Sequence, residues 1–454
     1  MLKNIIAFAV QVVAVCAVIL VFGVFGENQT VTPSPPPAND KFNGELERGV
    51  TIRVLENDTA IQQGYFAELL TAFNEKYAEY GITAVDANMD QYLDLENDGP
   101  FGYGPDVLYQ ANDVLMKYPE GGHILPLPVE RLDCYSRVSA AAWSAYLYGG
   151  KYYGAPVNVQ APVLYYRKDL LPDGDTSVIE SWNALYSFSR ERNAEGKYGY
   201  MKSLFDVYFA AGYLFSYGGY VFGGETTDIG FAAGDAEKGA WVIRQLAGVM
   251  NEDCIDDTVT KNAYSKIASG EYFATITTPD VYTLFVKEMI LAGVDPANLA
   301  AADIPKLPAS GDLTEENPEL IPGKMMGGVN GYGVSAYTKA PNACLAFVDF
   351  AAGYEMAVLR SEKLGVVPAR RDAAENIGDM ARLVNRNLEN GNIVIMPSVR
   401  AVAQIWTPMG TFFSDVAKDV FRSAADVKYP DLSALKAGLE KAGRQVYDAI
   451  HTLR

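Results

Sequence analysis

The stretch Ala155-Pro156-Val157-Asn158-Val159-Gln160-Ala161-Pro162 places two uncharged amides, Asn158 and Gln160, at alternate positions among apolar neighbours, just before Tyr165-Tyr166-Arg167-Lys168. On a strand, alternate side chains share a face. A buried amide without partners costs roughly 1–3 kcal/mol, so these two need either a protein partner or a ligand in a cleft. The chemistry they suit is non-covalent capture, because an amide both donates and accepts hydrogen bonds. Gln110, Asn112 and Asp113 follow the strand-like Asp106-Val107-Leu108-Tyr109 and add two more amides and a carboxylate. Asn330 and Tyr332 stand between Gly328, Gly331 and Gly333, where missing side chains permit bending or close approach. Tyr accounts for 29 residues and offers a flat apolar face with a hydroxyl at its edge. Most of these tyrosines are expected to be ordinary core and rim residues. With only His123 and His451, a His-rich metal site is excluded, and no cofactor is called for.

The elements that must position these groups follow from the apolar pattern. Thr51-Ile52-Arg53-Val54-Leu55 reads as a first strand, and Tyr65, Phe66, Leu69, Leu70 and Phe73 recur at helical spacing. Gly81-Ile82-Thr83-Ala84-Val85 supplies a second strand and Asp106 to Tyr109 a third, the opening of an α/β lobe. Ligands in open α/β sheets bind beyond the carboxyl ends of the strands. That rule puts Gln110, Asn112 and Asp113 at the mouth of a cleft. The amide-bearing strand at 155–160 reads as a crossing to a second lobe, which continues through a helix introduced by Ser181, an aromatic series from Tyr208 to Phe222, and a strand at Phe273 to Thr277. Val329 to Ser335 returns the chain to the first lobe, Leu345, Phe347, Val348 and Phe350 resume helical spacing, and Gly365 to Ala369 forms the final crossover. The helices after it pack on the second lobe. Pro305 to Pro322, rich in Pro and acidic residues, reads as a surface loop.

About 400 residues outside the N-terminal segment exceed the usual single-core limit, which also predicts two lobes. Ile5 to Phe25 is apolar except for Gln11 and Gly23, and about 20 apolar residues suffice to cross a bilayer. An uncleaved anchor (1–27), a cleaved signal, and lipidation at Cys16 remain open, with length favouring the anchor. All three place the rest of the chain outside the cytoplasm. The Pro-, Thr- and Ser-rich residues 28–46 form a spacer. A formal charge of -19 argues against nucleic acid and against an anionic ligand drawn in by steering. Cys134, Cys254 and Cys344 are an odd number for an extracytoplasmic body, compatible with one disulfide and a free thiol or with buried thiols.

Five stretches in matching order resemble the maltose and maltodextrin-binding proteins, the sugar receptors of ABC importers. These are Gly104 to Asp113, Tyr148 to Pro172, Ser269 to Ile276, Gly328 to Ser335, and Ile395-Met396-Pro397-Ser398-Val399-Arg400 followed by Gln404-Ile405-Trp406. The resemblance implies a two-lobed periplasmic-binding-protein-like (type II) α/β fold with hinge crossovers, preceded by an N-terminal membrane segment and linker. It divides the body into a first lobe of 47–160 and 331–368 and a second of 161–330 and 369–454. It also implies a monomeric receptor on the outer face of the membrane, delivering neutral maltodextrin-type oligosaccharides to permease subunits.

A pyranose presents apolar C–H faces and a belt of hydroxyls, so flat aromatics and polar edges are what such a receptor needs. By resemblance, Trp406 is the stacking residue, Tyr208 the second-lobe aromatic, and Asp206 and Asp113 carboxylate contacts. Gln160 stands where the family has an acid, Gln110 and Asp280 stand where it has tryptophans, and Tyr282 lies two residues beyond Asp280. The loop Glu56 to Thr59 lacks the family's Lys. Two other functions compete. A carbohydrate-active enzyme would need two carboxylates facing one bond, such as Asp106 with Asp113. A ferric-ion receptor would use Tyr152-Tyr153 and Tyr165-Tyr166, which strand alternation sends to opposite faces.

Overall fold

The computed structural model describes residues 41–90, 93–252 and 258–452. The apolar N-terminal segment, the spacer to residue 40 and Cys254 lie outside the described residues. Strand β1 (Thr51–Leu55) buries Ile52 and Val54 on one face. Helix α1 (Tyr65–Lys76) then turns Tyr65, Phe66, Leu69 and Phe73 inward, as their spacing predicts. Strands β2 (Thr83–Asp86) and β3 (Val107–Ala111) both run parallel to β1.

Strand β4 (Ala155–Gln160) belongs to this first sheet, but the next strand, β5 (Val163–Arg167), belongs to another. The break falls at Ala161-Pro162, where proline has no N–H for the ladder. The second sheet orders its four strands β8-β5-β7-β6, with β6 at Tyr198–Tyr200, β7 at Tyr272–Thr277 and β8 at Leu299–Ala302. Its helices include α2 (Val207–Ser216) and α3 (Tyr282–Leu291).

Strand β9 (Met325–Val334) makes the return. Its start pairs with β11 (Ile393–Ile395), and its remainder lies between β4 and β3. After α4 (Tyr354–Leu364), the short β10 (Val367–Pro368) adds to the other edge of β4. The first sheet therefore runs β10-β4-β9-β3-β1-β2, with β11 on β9 as its seventh strand. The three crossing segments lie side by side: Val159 sits between Val329 and Val367, and Asn158 between Asn330 and Pro368.

Between α1, α4 and the first sheet lies a buried charge cluster. Arg360 donates to both carboxylate oxygens of Glu56, at 3.0 and 2.9 Å, while the Tyr332 hydroxyl donates to Glu56 Oε2 at 2.5 Å. The guanidinium lies 3.8 Å from the Tyr109 ring centroid. In the second lobe the buried Asp419 accepts from Arg244, Arg422 and the N–H groups of Lys428 and Tyr429, fixing the turn before the helix Leu432–Thr452.

Two expectations need correction. Pro305 to Pro322 is not a simple surface loop, since Leu307-Pro308 pairs with Leu320-Ile321 as a hairpin and Leu307 and Leu313 are buried. Side chains of Asn183 and Gln245 hold its backbone at Asp312, Gly311 and Leu313. Residues 41–46 are docked on the first lobe instead of ending the spacer. Lys41 Nζ donates to the Ala336 carbonyl, Arg131 donates to the Phe42 carbonyl, and Phe42 is buried. Cys134 and Cys344 are free and buried.

Candidate functional site

The parallel strands of each lobe end at a shared cleft. Beyond β1 comes Asn57, whose side chain caps the helix Asp58–Gln62 by accepting from Ala60 N–H. Beyond β7 comes Pro279-Asp280, at the entry to α3. The crossing strands supply Asn158, Gln160 and Asn330. Together these residues line a cavity of about 220 Å³, with Thr59, Tyr109 and Val159 also in its walls and Leu364, Val366 and Val367 closing one side.

Asn158 and Asn330 are direct cross-strand partners and share a face. The Tyr109 hydroxyl donates to Asn158 Oδ1 at 2.6 Å. Asn330 Oδ1 and Asp280 Oδ1 are buried with no hydrogen-bond partner among the described residues.

Next to this cavity lies Tyr208, whose hydroxyl donates to the Gln160 carbonyl at 2.8 Å. Burial raises its phenol pKa well above the usual range, and the charges of Asp280, Asp206 and Asp113 push the same way. Asp206 caps α2 by accepting from Tyr208 N–H at 3.1 Å. Its own pKa is raised by burial, against the opposing charge of Lys202. Lys202 is buried with its ammonium over the Phe209 ring, and burial pushes its pKa down to about 8 against the pull of Asp206. Burial also raises the pKa of Asp113, opposed by backbone N–H groups and Lys117. Three carboxylates from two lobes thus act on one phenol.

The predicted residues separate by place. Asn158, Gln160, Asp280 and Asn330 come together on the cavity, with Tyr208 beside them. Gln110 is the penultimate residue of β3, paired with Gly331, and Asp113 follows that strand, both outside the cavity's lining. Trp406 is half-buried at the first residue of α5 (Trp406–Lys418) and does not line it either. One turn on, a Cβ at Gly410 would sit 3.3 Å from the Phe205 carbonyl, so α5 runs close to the Asp206 loop.

Two residues, Tyr332 and Asn112, are corrected as ligand contacts. Tyr332 is fully buried with its hydroxyl on Glu56; it shares the site face but lies deeper, where α1 and α4 cover the sheet. Asn112 is fully buried, donating to the Met396 carbonyl and to Ser398 Oγ and accepting from Val329 N–H, so its amide is spent on joining the segment between β11 and α5 to the first lobe. Tyr282 lies nearly parallel to Tyr165, with centroids 6.4 Å apart, and lines a separate cavity of about 540 Å³. Sequence reading missed Asn57, Thr59 and the wall Leu364 to Val367. The rule that found Asp113 beyond β3 applies equally beyond β1 and would have found Asn57.

The residue pairs named for the two competing chemistries do not converge. Asp106 accepts from Arg53 N–H at one end of β3 and Asp113 follows the other end, with a strand of roughly 17 Å between them. The tyrosine pairs diverge: Tyr165 packs on Phe285 and Tyr166 on Phe273, while Tyr152 meets Trp143 and Tyr153 meets Tyr148.

Two sheets joined by three adjacent crossings, with polar groups gathered where the strands end, define a hinged two-lobed binding protein. The chain belongs to the bacterial extracellular solute-binding protein family, whose model matches residues 68–385. It is 28% identical over 378 residues to the galactooligosaccharide-binding protein of Bacillus subtilis (strain 168), covering 77% of this chain and 82% of that one. It is 27% identical over 372 residues to the maltodextrin-binding protein MdxE of the same organism, covering 78% and 82%. Among solved structures, the maltose-binding periplasmic protein MalE from Listeria monocytogenes in complex with maltose aligns with a TM-score of 0.69 at 21% identity, over 88% of this chain and 98% of that one. A cyclo/maltodextrin-binding protein complexed with maltotetraose aligns with a TM-score of 0.71 at 20% identity, over 90% and 100%. These structural likenesses establish the fold.

Proposed function

We propose that this chain is the extracytoplasmic receptor of an ABC sugar importer, closing its lobes over a neutral maltodextrin-type oligosaccharide and handing it to the permease. The observation that carries this reading is the gathering of Asn158, Gln160, Asn330 and Asp280 on one cavity between the lobes, beside Tyr208. These are uncharged amides, a carboxylate and a phenol, matched to hydroxyls and not to an anion. The lobes comprise 47–160 with 331–368 and 161–330 with 369–454, and the body acts as a non-catalytic monomer held at the membrane by its N-terminal segment. Galactooligosaccharides are the second reading. The relative named for them is as similar as the maltodextrin receptor, and Gln110 and Asp280 stand where the resemblance to maltodextrin receptors implies tryptophans.

Calorimetric titration with maltotriose, maltohexaose and a galactotetraose tests the reading. Saturable binding of either glucan supports it, binding of the galacto-series alone selects the second reading, and binding of none defeats both. In the same assay, Trp406→Ala lowers affinity on the order of 30-fold to 1000-fold if its ring covers the sugar, as for a buried aromatic anchor. An unchanged affinity removes Trp406 from the site.

A further inference from the structure

One cavity outside the cleft opens where the described chain begins. It measures about 440 Å³ and lies on the first lobe, with Lys41, Phe42, Pro126, Pro128, Tyr135 and Tyr152 in its walls. Its aromatic side is braced from behind. The Trp143 ring packs against Tyr135 and Tyr152, at centroid distances of 5.6 and 5.4 Å, and its Nε1 donates to the Tyr135 carbonyl at 3.1 Å. Tyr135 is nevertheless 40% exposed among the described residues.

Two of the walls are the first described residues themselves, and both are held in place. Lys41 Nζ donates to the Ala336 carbonyl, Arg131 donates to the Phe42 carbonyl at 2.9 Å, and Asn342 Oδ1 accepts from Gly44 N–H at 3.0 Å. The chain before Lys41 therefore starts from the rim of this cavity. That chain is Pro33-Ser34-Pro35-Pro36-Pro37-Ala38-Asn39-Asp40, with Pro33 and Pro36 three residues apart. Three residues make one turn of polyproline II, so those two share a face, and Pro37 stands only about 12 Å of such a helix before Lys41. Pro-rich segments of this kind dock in grooves lined by aromatic rings. Proline's fixed φ leaves little freedom to lose on docking, and the covalent connection supplies an effective concentration on the order of mM.

We propose that residues 33–40 dock in this groove of their own chain, proline rings against Tyr135 and Tyr152, continuing the contact that Lys41 and Phe42 begin. The spacer then works as a strut and not as a free tether. For a chain anchored at its N-terminus, docking leaves only 28–32 as slack and turns the Tyr135 face of the first lobe toward the membrane. Docking is independent of which sugar the cleft takes.

Hydroxyl-radical footprinting of the full chain in detergent tests this, with Tyr447 on the C-terminal helix as the reference ring because its exposure, 42%, matches that of Tyr135. In the unaltered chain Tyr135 should be oxidised roughly 10-fold more slowly than Tyr447, as for a groove open about one-tenth of the time. Equal rates overturn the proposal, and this comparison needs no variant. In a chain carrying Pro33→Gly, Pro35→Gly, Pro36→Gly and Pro37→Gly together, Tyr135 should be oxidised as fast as Tyr447. Continued protection of Tyr135 in that variant overturns the proposal, and protection that is relieved by dilution assigns the groove to a second copy of the chain instead.

Discussion

Arg360 and Glu56 show how much one buried pair can control. The guanidinium satisfies both carboxylate oxygens, leans on the Tyr109 ring, and so supports the phenol that holds Asn158 at the cavity. Removing one partner of such a pair strands the other charge. Arg360→Met should therefore destabilise the protein by about 3–5 kcal/mol, measured by chemical denaturation. Adding Glu56→Gln should recover part of the loss, and a single variant as stable as wild type would contradict the account. Lys202 makes a pH-dependent prediction. Its folded pKa, about 8, lies below the ordinary 10.5, so the folded chain releases this proton first as pH rises. Its burial penalty is whole below about pH 8, and its contribution to stability rises from there toward pH 10.5. Relative to Lys202→Met, wild type should gain about 2 kcal/mol between pH 7 and pH 9.5. A constant difference across that range would show that the amine does not titrate as its burial implies.

At the scale of elements, the three crossings work as a packed ribbon, and glycine sets their spacing. A Cβ at Gly331 would overlap the Ala155 carbonyl at the irregularity in register between β9 and β4. Gly331→Ala should destabilise by about 1–3 kcal/mol through overpacking, read from denaturant midpoints; no shift would mean the strands can part there freely. Much of this layer was legible in the sequence because alternation and strand breaks are local: Asn158 and Gln160 mark the crossing and Pro162 ends it. Tyr332 was misplaced because alternation gives the face but not the depth along it. Covering helices decide depth, and these come from residues 65–76 and 354–364. Asn112 looked like a site residue for the same reason, yet its partners, Met396 and Ser398, lie nearly three hundred residues away. The hairpin within Pro305 to Pro322 has strands of only two residues, too short for any periodicity to reveal.

At the scale of the whole molecule, the lobes meet through more than the crossings. Ser398 Oγ donates to the Ala145 carbonyl at 2.6 Å, and Arg400 pairs with Glu96 and donates to the Lys117 carbonyl. These contacts tie the segment before α5 to the first lobe. A ligand that binds the closed arrangement better than an open one must shift the population toward closure, by no more than that difference in affinity. A net charge of -19 and the carboxylates Asp113, Asp206 and Asp280 near one phenol disfavour an anion and suit a ligand whose hydroxyls donate hydrogen bonds. Small-angle scattering of the protein with and without saturating maltohexaose tests closure: the radius of gyration should fall on binding, and an unchanged radius at demonstrated saturation would rule closure out.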